Sequence, residues 1–245
     1  MTAPPELRTV VSVPARFRGP ETAANGGWIA AVVAGALGDG EPGDTSGSPV
    51  EVTLHAPTPL DTDLALANHG NAVTLCRDEQ ALVEAIPVAE PLDEPGFVSF
   101  NDAARAEAGF AGLTGHPFPE CFVCGAREPG DGLRIFPGPV RGSDGLYAAG
   151  WRVPTSVTDD GVVPVPVIWA ALDCVGGWAV MPKGERALLG RLTAQVHRRV
   201  YPGGTYSVVG APAGRDGRKL GARSAIYESD GTLVAVAKAI WIVPR

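Results

Sequence analysis

The sequence predicts an α+β protein made of two similar halves, each an antiparallel sheet curled around one apolar helix. Three observations predict it. An apolar, small-residue helix pattern occurs twice, as NGGWIAAVVAGALGD (residues 25–39) and VPVPVIWAALDCVGGWAVMP (residues 163–182). Each copy is followed by several short segments with the alternation of a half-buried strand. Turn pairs such as HGNA (residues 69–72), Asp216-Gly217 and Asp230-Gly231 divide those segments into hairpins. A single helix covers only one face of such a sheet, and it does so if the sheet curls around it.

The elements follow in order. A strand is expected near residues 8–13, then the first helix. Strands are expected at VEVTLHA (50–56), DLALANH (63–69), AVTLCRD (72–78) and ALVEAIPV (81–88). SFNDAARAEAGFAGL (99–113) predicts a short helix capped by Asn101 or Asp102. GLRIFP (132–137) and LYAAGWRVP (146–154) read as strands before the second helix. Four strands close the chain: ALLGRLTAQVHRRV, TYSVVGAPAG, KLGARSAIYES and TLVAVAKAIWIV. In the first of these, Leu188, Leu192, Ala194 and Val196 fall on one face. Arg191, Thr193, Gln195, His197 and Arg199 fall on the other.

A length of 245 residues accommodates two domains. The expected division is 1–95, a connecting segment 96–130, and 131–245. Hydrophobic residues make up 45% and charged residues 19%, enough for a packed core. The net charge of −7 argues against a nucleic-acid partner. Apolar stretches are broken by Gly, Pro or Asp before they reach membrane-spanning length. The N-terminal MTAPPELRTVVSV lacks the basic start and apolar core of a signal peptide, so the expected location is the cytoplasm.

The cysteines are Cys76, Cys121, Cys124 and Cys174. Cys121 and Cys124 form a C-x-x-C flanked by Pro and Gly, and His116 lies nearby. With His116 this makes three ligands, short of the four of a structural zinc site. The motif is therefore expected to be a tight turn with buried thiols, zinc or redox use being the other readings, and no metal or cofactor is expected.

Asp173 is the only charged residue of the second apolar helix. A carboxylate there must find a hydrogen-bond partner, line a wet cleft or do chemistry. At helical spacing it shares a face with Trp169, Gly176, Gly177 and Val180.

These motifs resemble the double-hotdog form of the hotdog fold, and most closely the acyl-CoA thioesterase II family. NGGWIAAVVAGAL is similar to that family's Gly-Gly helix start. IWAALDCVGG is similar to the helix carrying its catalytic aspartate, and DGTLVA to its last hairpin. The resemblance implies two antiparallel sheets, each wrapped around a central helix, in tandem and continuous with one another. It implies an acyl-CoA thioesterase acting on a medium- or long-chain thioester, a hydrolase of lipid metabolism. It also implies a homo-oligomer assembled through the sheets. Two departures stand out. The family completes its site with a Thr on the strand after the Asp helix, where this chain has Gly190 with Thr193 a few residues on. It also uses a Gln on the last strand, near Lys238 or Ala239 here.

The expected catalytic set is Asp173, as base or as nucleophile, with Gly26, Gly27 and Thr193. Backbone N–H groups at a helix start have no internal partner and can hold an oxyanion, and glycines there let substrate approach. The expected substrate-binding residues are Asn25, Trp28, Trp169, Gly176, Gly177 and Arg191, the last toward coenzyme A phosphates. Helix one has the glycines and helix two the carboxylate. Gly35 and Val165 stand at the reciprocal positions, so one composite site per chain is expected. The alternative is a non-catalytic acyl-CoA or lipid binder that retains the pocket. A hydratase ranks last, because neither helix contains a His.

Overall fold

The computed structural model describes residues 8–37, 48–181 and 186–244. Residues 38–39 and 182, the ends of the two apolar repeats, and residues 1–7 of the N-terminal stretch lie outside them.

The first half contains β1 (Arg8–Val11), α1 (Gly26–Ala34), β2 (Val50–Leu54), β3 (Leu64–Asn68), β4 (Val73–Arg77) and β5 (Gln80–Pro87). The connecting segment holds α2 (Phe100–Ala106) and α3 (Gly112–Gly115). The second half contains β6 (Gly138–Pro139), β7 (Tyr147–Arg152), α4 (Val165–Val180), β8 (Leu188–Val196), β9 (Thr205–Asp216), β10 (Lys219–Tyr227) and β11 (Leu233–Ile242).

All eleven strands form one antiparallel sheet, in the order β1-β3-β4-β5-β2-β8-β11-β10-β9-β7-β6. The halves join where β2 pairs with β8, from Val50 opposite Ala194 to Thr53 opposite Arg191. Alternation then assigns the faces. Val50, Val52, Leu192 and Ala194 belong to the main core with the helices. Glu51, Thr53, Arg191 and Thr193 take the opposite face.

Both helices sit in the main core, and α1 packs against α4. Every residue of α4 from Val167 to Gly177 is buried, which explains why its apolar residues surround the helix rather than forming a stripe. Pro164 precedes the helix and Pro166 lies in its first turn, where missing N–H groups cost nothing. The outer face of β7, β9 and β10 is covered separately. Ala103 of α2 joins Val98, Ala148, Val209, Ala225 and Tyr227 in a second small core. Ala149, Val208 and Ile226, their neighbours in sequence, face the main core. Residues 206–211 of β9 are thus buried on both faces.

Two local expectations are corrected. The cap of α2 is Ser99, whose hydroxyl accepts from the Asp102 N–H at 3.2 Å, not Asn101 or Asp102. GLRIFP is not a strand. Arg134 has φ 54°, and the segment makes two isolated backbone bonds to the C-x-x-C turn, Leu133 N–H to Phe122 and Ile135 N–H to Val123. No helix among the described residues is long and apolar enough to cross a membrane.

Candidate functional site

The site is built on the α1–α4 contact. Asn25 caps α1, its side-chain oxygen accepting from the Trp28 N–H at 2.9 Å. This orients its amide nitrogen toward α4, where it donates to Asp173 Oδ2 at 3.0 Å. The Gly27 N–H, one of the free donors of the first turn, donates to the same oxygen at 2.9 Å. Asp173 is 2% exposed, and its other oxygen, Oδ1, has no hydrogen-bond partner among the described residues. Burial pushes its carboxyl up to about 7, against the opposing effects of the Gly27 and Asn25 bonds.

Asp173 lies in the wall of a cavity of about 560 Å³, within the usual range for small-molecule sites. The wall is largely apolar, with Ile29, Leu54, Leu189, Trp178 and Trp241 contributing. Gly26 also lines it, and the Gly26 N–H has no acceptor among the described residues. Thr58 is 3% exposed, lines the same cavity and has a hydroxyl without a hydrogen-bond partner among the described residues. Thr22, Asn25, His116 and the exposed His55 and Arg186 also contribute polar groups to the lining.

Asp173, Gly26, Gly27 and Asn25 therefore come together, but Gly27 has a different job from the one expected. A Cβ on Gly27 would lie 2.4 Å from the Trp169 carbonyl oxygen and 2.7 Å from Asp173 Cβ. Its missing side chain lets α1 touch α4, and its N–H is committed to the carboxylate. Of the two glycines, it is Gly26 whose N–H stays free for a ligand among the described residues.

Thr193 is not part of this group. It is buried on the other face of the sheet, with its hydroxyl 3.5 Å from Glu51 Oε2. Arg191 shares that face and pairs with Glu51 at 3.4 Å, so it does not line the cavity. Lys238, opposite Thr193, pairs with Glu90 at 2.7 Å, and Ala239 belongs to the core. Among the described residues, Thr193 and every Gln are absent from the cavity lining, whose threonines are Thr22 and Thr58.

The aromatic and glycine expectations are also redistributed. Trp169 is fully buried against α1 and is not in the cavity lining; Trp178, two and a half turns on, is. Trp28 stacks on Phe17 at 4.5 Å and is likewise absent from the lining. Gly177 makes room for Trp241, whose ring a Cβ would approach to 2.7 Å, and Gly176 faces Ala222 of β10. These glycines admit a wall residue rather than a ligand.

Cys121, Cys124 and Cys174 also line the cavity, and all three are buried. The α4 residue next to Asp173 thus meets the C-x-x-C turn. The structure supplies a third sulfur that sequence reasoning did not connect. The proximity of its thiol neighbours holds Cys121 well below the ordinary thiol range, whereas Cys124 is held well above it, chiefly by burial.

Solved structures with a similar fold exist. One is a tesB protein of Mycobacterium avium subs. paratuberculosis, which matches with a TM-score of 0.63 at 16% identity, covering 97% of this chain and 93% of that one. A conserved protein of unknown function with hot dog fold from Alicyclobacillus acidocaldarius matches at 0.58 and 12%, covering 97% and 93%. An acyl-CoA thioesterase II, TesB2, from Mycobacterium marinum matches at 0.51 and 10%, covering 80% of each chain. No family model and no curated sequence matches the chain. The likeness establishes that the chain has the hotdog fold.

Proposed function

We propose that the chain hydrolyses an acyl thioester, of the acyl-CoA class, in the cavity beside Asp173. The observation that carries this reading is the half-engaged carboxylate. Asp173 Oδ2 is locked by Gly27 and Asn25, while Oδ1 has no partner among the described residues and the residue lines an apolar cavity. A buried oxygen of this kind is an acceptor for one more donor, and water or substrate is what the cavity admits.

In the reaction, Asp173 Oδ1 accepts a proton from a water molecule as its oxygen bonds to the thioester carbon. The Gly26 N–H donates to the carbonyl oxygen as it gains charge. The carbon–sulfur bond then breaks, and the proton held by Asp173 passes to the departing thiolate. The products are a carboxylic acid and a free thiol. Asn25 and Gly27 are positioning groups: they fix the carboxylate and leave one oxygen to react. Thr58 offers a further hydroxyl to the bound substrate. The apolar wall takes a medium or long acyl chain, and Arg186 takes the phosphate-binding part expected of Arg191.

The same reading makes the chain a double hotdog, with units at 1–95 and 131–245 joined by 96–130. It acts in the cytoplasm and has one site per chain. The test is thiol release from a panel of acyl-CoA esters of increasing chain length. Turnover with a preference for medium or long chains supports the proposal. Saturable binding without thiol release would favour a non-catalytic binder and overturn it.

A further inference from the structure

The second-strongest chemistry in the molecule is the sulfur cluster, which thioester hydrolysis does not use. Cys121, Cys124 and Cys174 bring their sulfurs within 4.8 Å of one another, and Cys121 and Cys174 are 3.7 Å apart. A tetrahedral ion with zinc–sulfur bonds of about 2.3 Å holds its sulfurs about 3.8 Å apart. The Cys121–Cys174 spacing therefore matches that of two thiolates on one ion, and Cys124 lies close enough to join them as the third.

The surroundings suit it as well. The three sulfurs are closed off from bulk solvent, with Cys121 and Cys124 3% and Cys174 7% exposed. The turn closes with the Gly125 N–H on the Cys121 carbonyl at 3.0 Å. A Cβ on Gly125 would lie 2.4 Å from the Pro119 carbonyl oxygen, so the turn requires glycine there. Cys124 Sγ lies 3.2 Å from His116 Nε2. Cys174 Sγ lies 3.8 Å from the Asn25 amide nitrogen. Two of the three sulfurs thus face a side-chain N–H donor, and Cys121 Sγ faces Cys174 Sγ. Three neutral thiols would not need this arrangement, whereas thiolates on a cation do.

His116 belongs to the shell around the sulfurs rather than to the ligand set. The Phe118 N–H donates to His116 Nδ1 at 2.9 Å, so Nδ1 keeps its lone pair. Neutral imidazole then carries its proton on Nε2, which donates to Cys124. The protein supplies three ligands, and the fourth position opens to the cavity that all three cysteines line.

We propose that Cys121, Cys124 and Cys174 bind one zinc ion through three thiolates, with a solvent ligand in the fourth position facing the cavity. The ion fastens the connecting segment to α4 beside Asp173. Each thiol releases its proton to solvent on binding. This site replaces the metal-free turn expected from sequence, and it stands independently of the thioester reading.

The test uses the full chain, reduced and freed of metal, then titrated with Zn²⁺ or Co²⁺. The expected result is one ion per chain and a sulfur-to-cobalt charge-transfer band of three-thiolate intensity. Zn²⁺ at about a hundredfold over its Kd should raise the melting temperature by about 5–10 °C. Cys121→Ser, Cys124→Ser and Cys174→Ser should each lose the band, and Cys76→Ser should keep it. His116→Ala should keep it with affinity weakened about 10- to 100-fold. The parent titration needs no variant, so misfolding of a serine variant leaves the test intact. Absence of metal from the parent, with no cobalt band and no thermal shift, overturns the proposal. A four-ligand spectrum, or loss of the band in folded His116→Ala, overturns the open fourth position.

Discussion

Replacing Gly27 by alanine separates two roles for that residue, holding α4 and admitting substrate. The new Cβ would sit 2.4 Å from the Trp169 carbonyl oxygen, 2.7 Å from Asp173 Cβ and 2.9 Å from the Trp169 carbonyl carbon. Ordinary contact begins roughly 1 Å further out, and two of these atoms are backbone, so α1 must move away from α4. Overpacking of this kind costs about 1–3 kcal/mol. The displacement also lengthens the 2.9 Å bond from the Gly27 N–H to Asp173, and a hydrogen bond to a charged group contributes about 1.5–3 kcal/mol. Alanine's better helix propensity returns up to about 1 kcal/mol. The net loss is about 2–5 kcal/mol, or about 4–20 °C in melting temperature for a chain of this size. Thiol release should fall about 10²-fold with the carboxylate displaced by about 1 Å. Gly26→Ala is the control. Its Cβ meets the movable end of Leu189 at 2.7 Å, so its loss of stability should be the smaller. Thermal unfolding and thiol release measured on both variants decide the matter. A Gly27→Ala protein that melts like the parent and shows only a raised KM would refute the helix-contact reasoning.

Other outcomes follow from the same geometry. Arg191→Ala should leave KM for acyl-CoA unchanged, whereas Arg186→Ala should raise it; steady-state kinetics on both variants checks this. Glu107 accepts the Gly150 N–H at 2.8 Å, and burial raises its carboxyl above the ordinary 4.5 despite Arg152 nearby. The folded state then binds more protons than the unfolded state between those two values, so stability falls as pH rises through that window. Glu107→Gln should flatten this part of a melting-temperature profile. Gly177→Ala should destabilise by about 1–3 kcal/mol, read by denaturant unfolding, because its Cβ would press on the Trp241 ring at 2.7 Å.

The fold was legible because alternation and turn chemistry agree along most strands. The two apolar, small-residue runs placed both helices, and Gly-containing turns placed the hairpins. GLRIFP misled because Leu133 and Ile135 alternate like a strand, yet they bury themselves against the C-x-x-C turn through two isolated bonds. At the site, Asp173 and the α1 glycines were readable because a lone carboxylate and paired glycines are rare in apolar helices. Which side of α4 faces the cavity was not. A helix buried all round gives no polar face to read, so Trp169 and Trp178 exchanged places. The alternation of β8 did put Thr193 and Arg191 opposite Leu192, but only the position of the helices reveals which face holds the site. Cys174 was missed because it lies 50 residues beyond Cys124, and only the packing of α4 brings them together.

Asp173→Asn tests the central claim most directly, through thiol release and thermal unfolding measured on the same preparation. Asparagine keeps the shape of the side chain and an oxygen for the Gly27 and Asn25 donors, but it cannot accept a proton from water. The account predicts a fall in turnover of about 10² or more, with acyl-CoA binding retained and the melting temperature unchanged or higher. Unchanged turnover in a folded Asn variant would contradict it. So would lost stability with turnover per folded molecule intact, because Asp173 would then be a structural group alone.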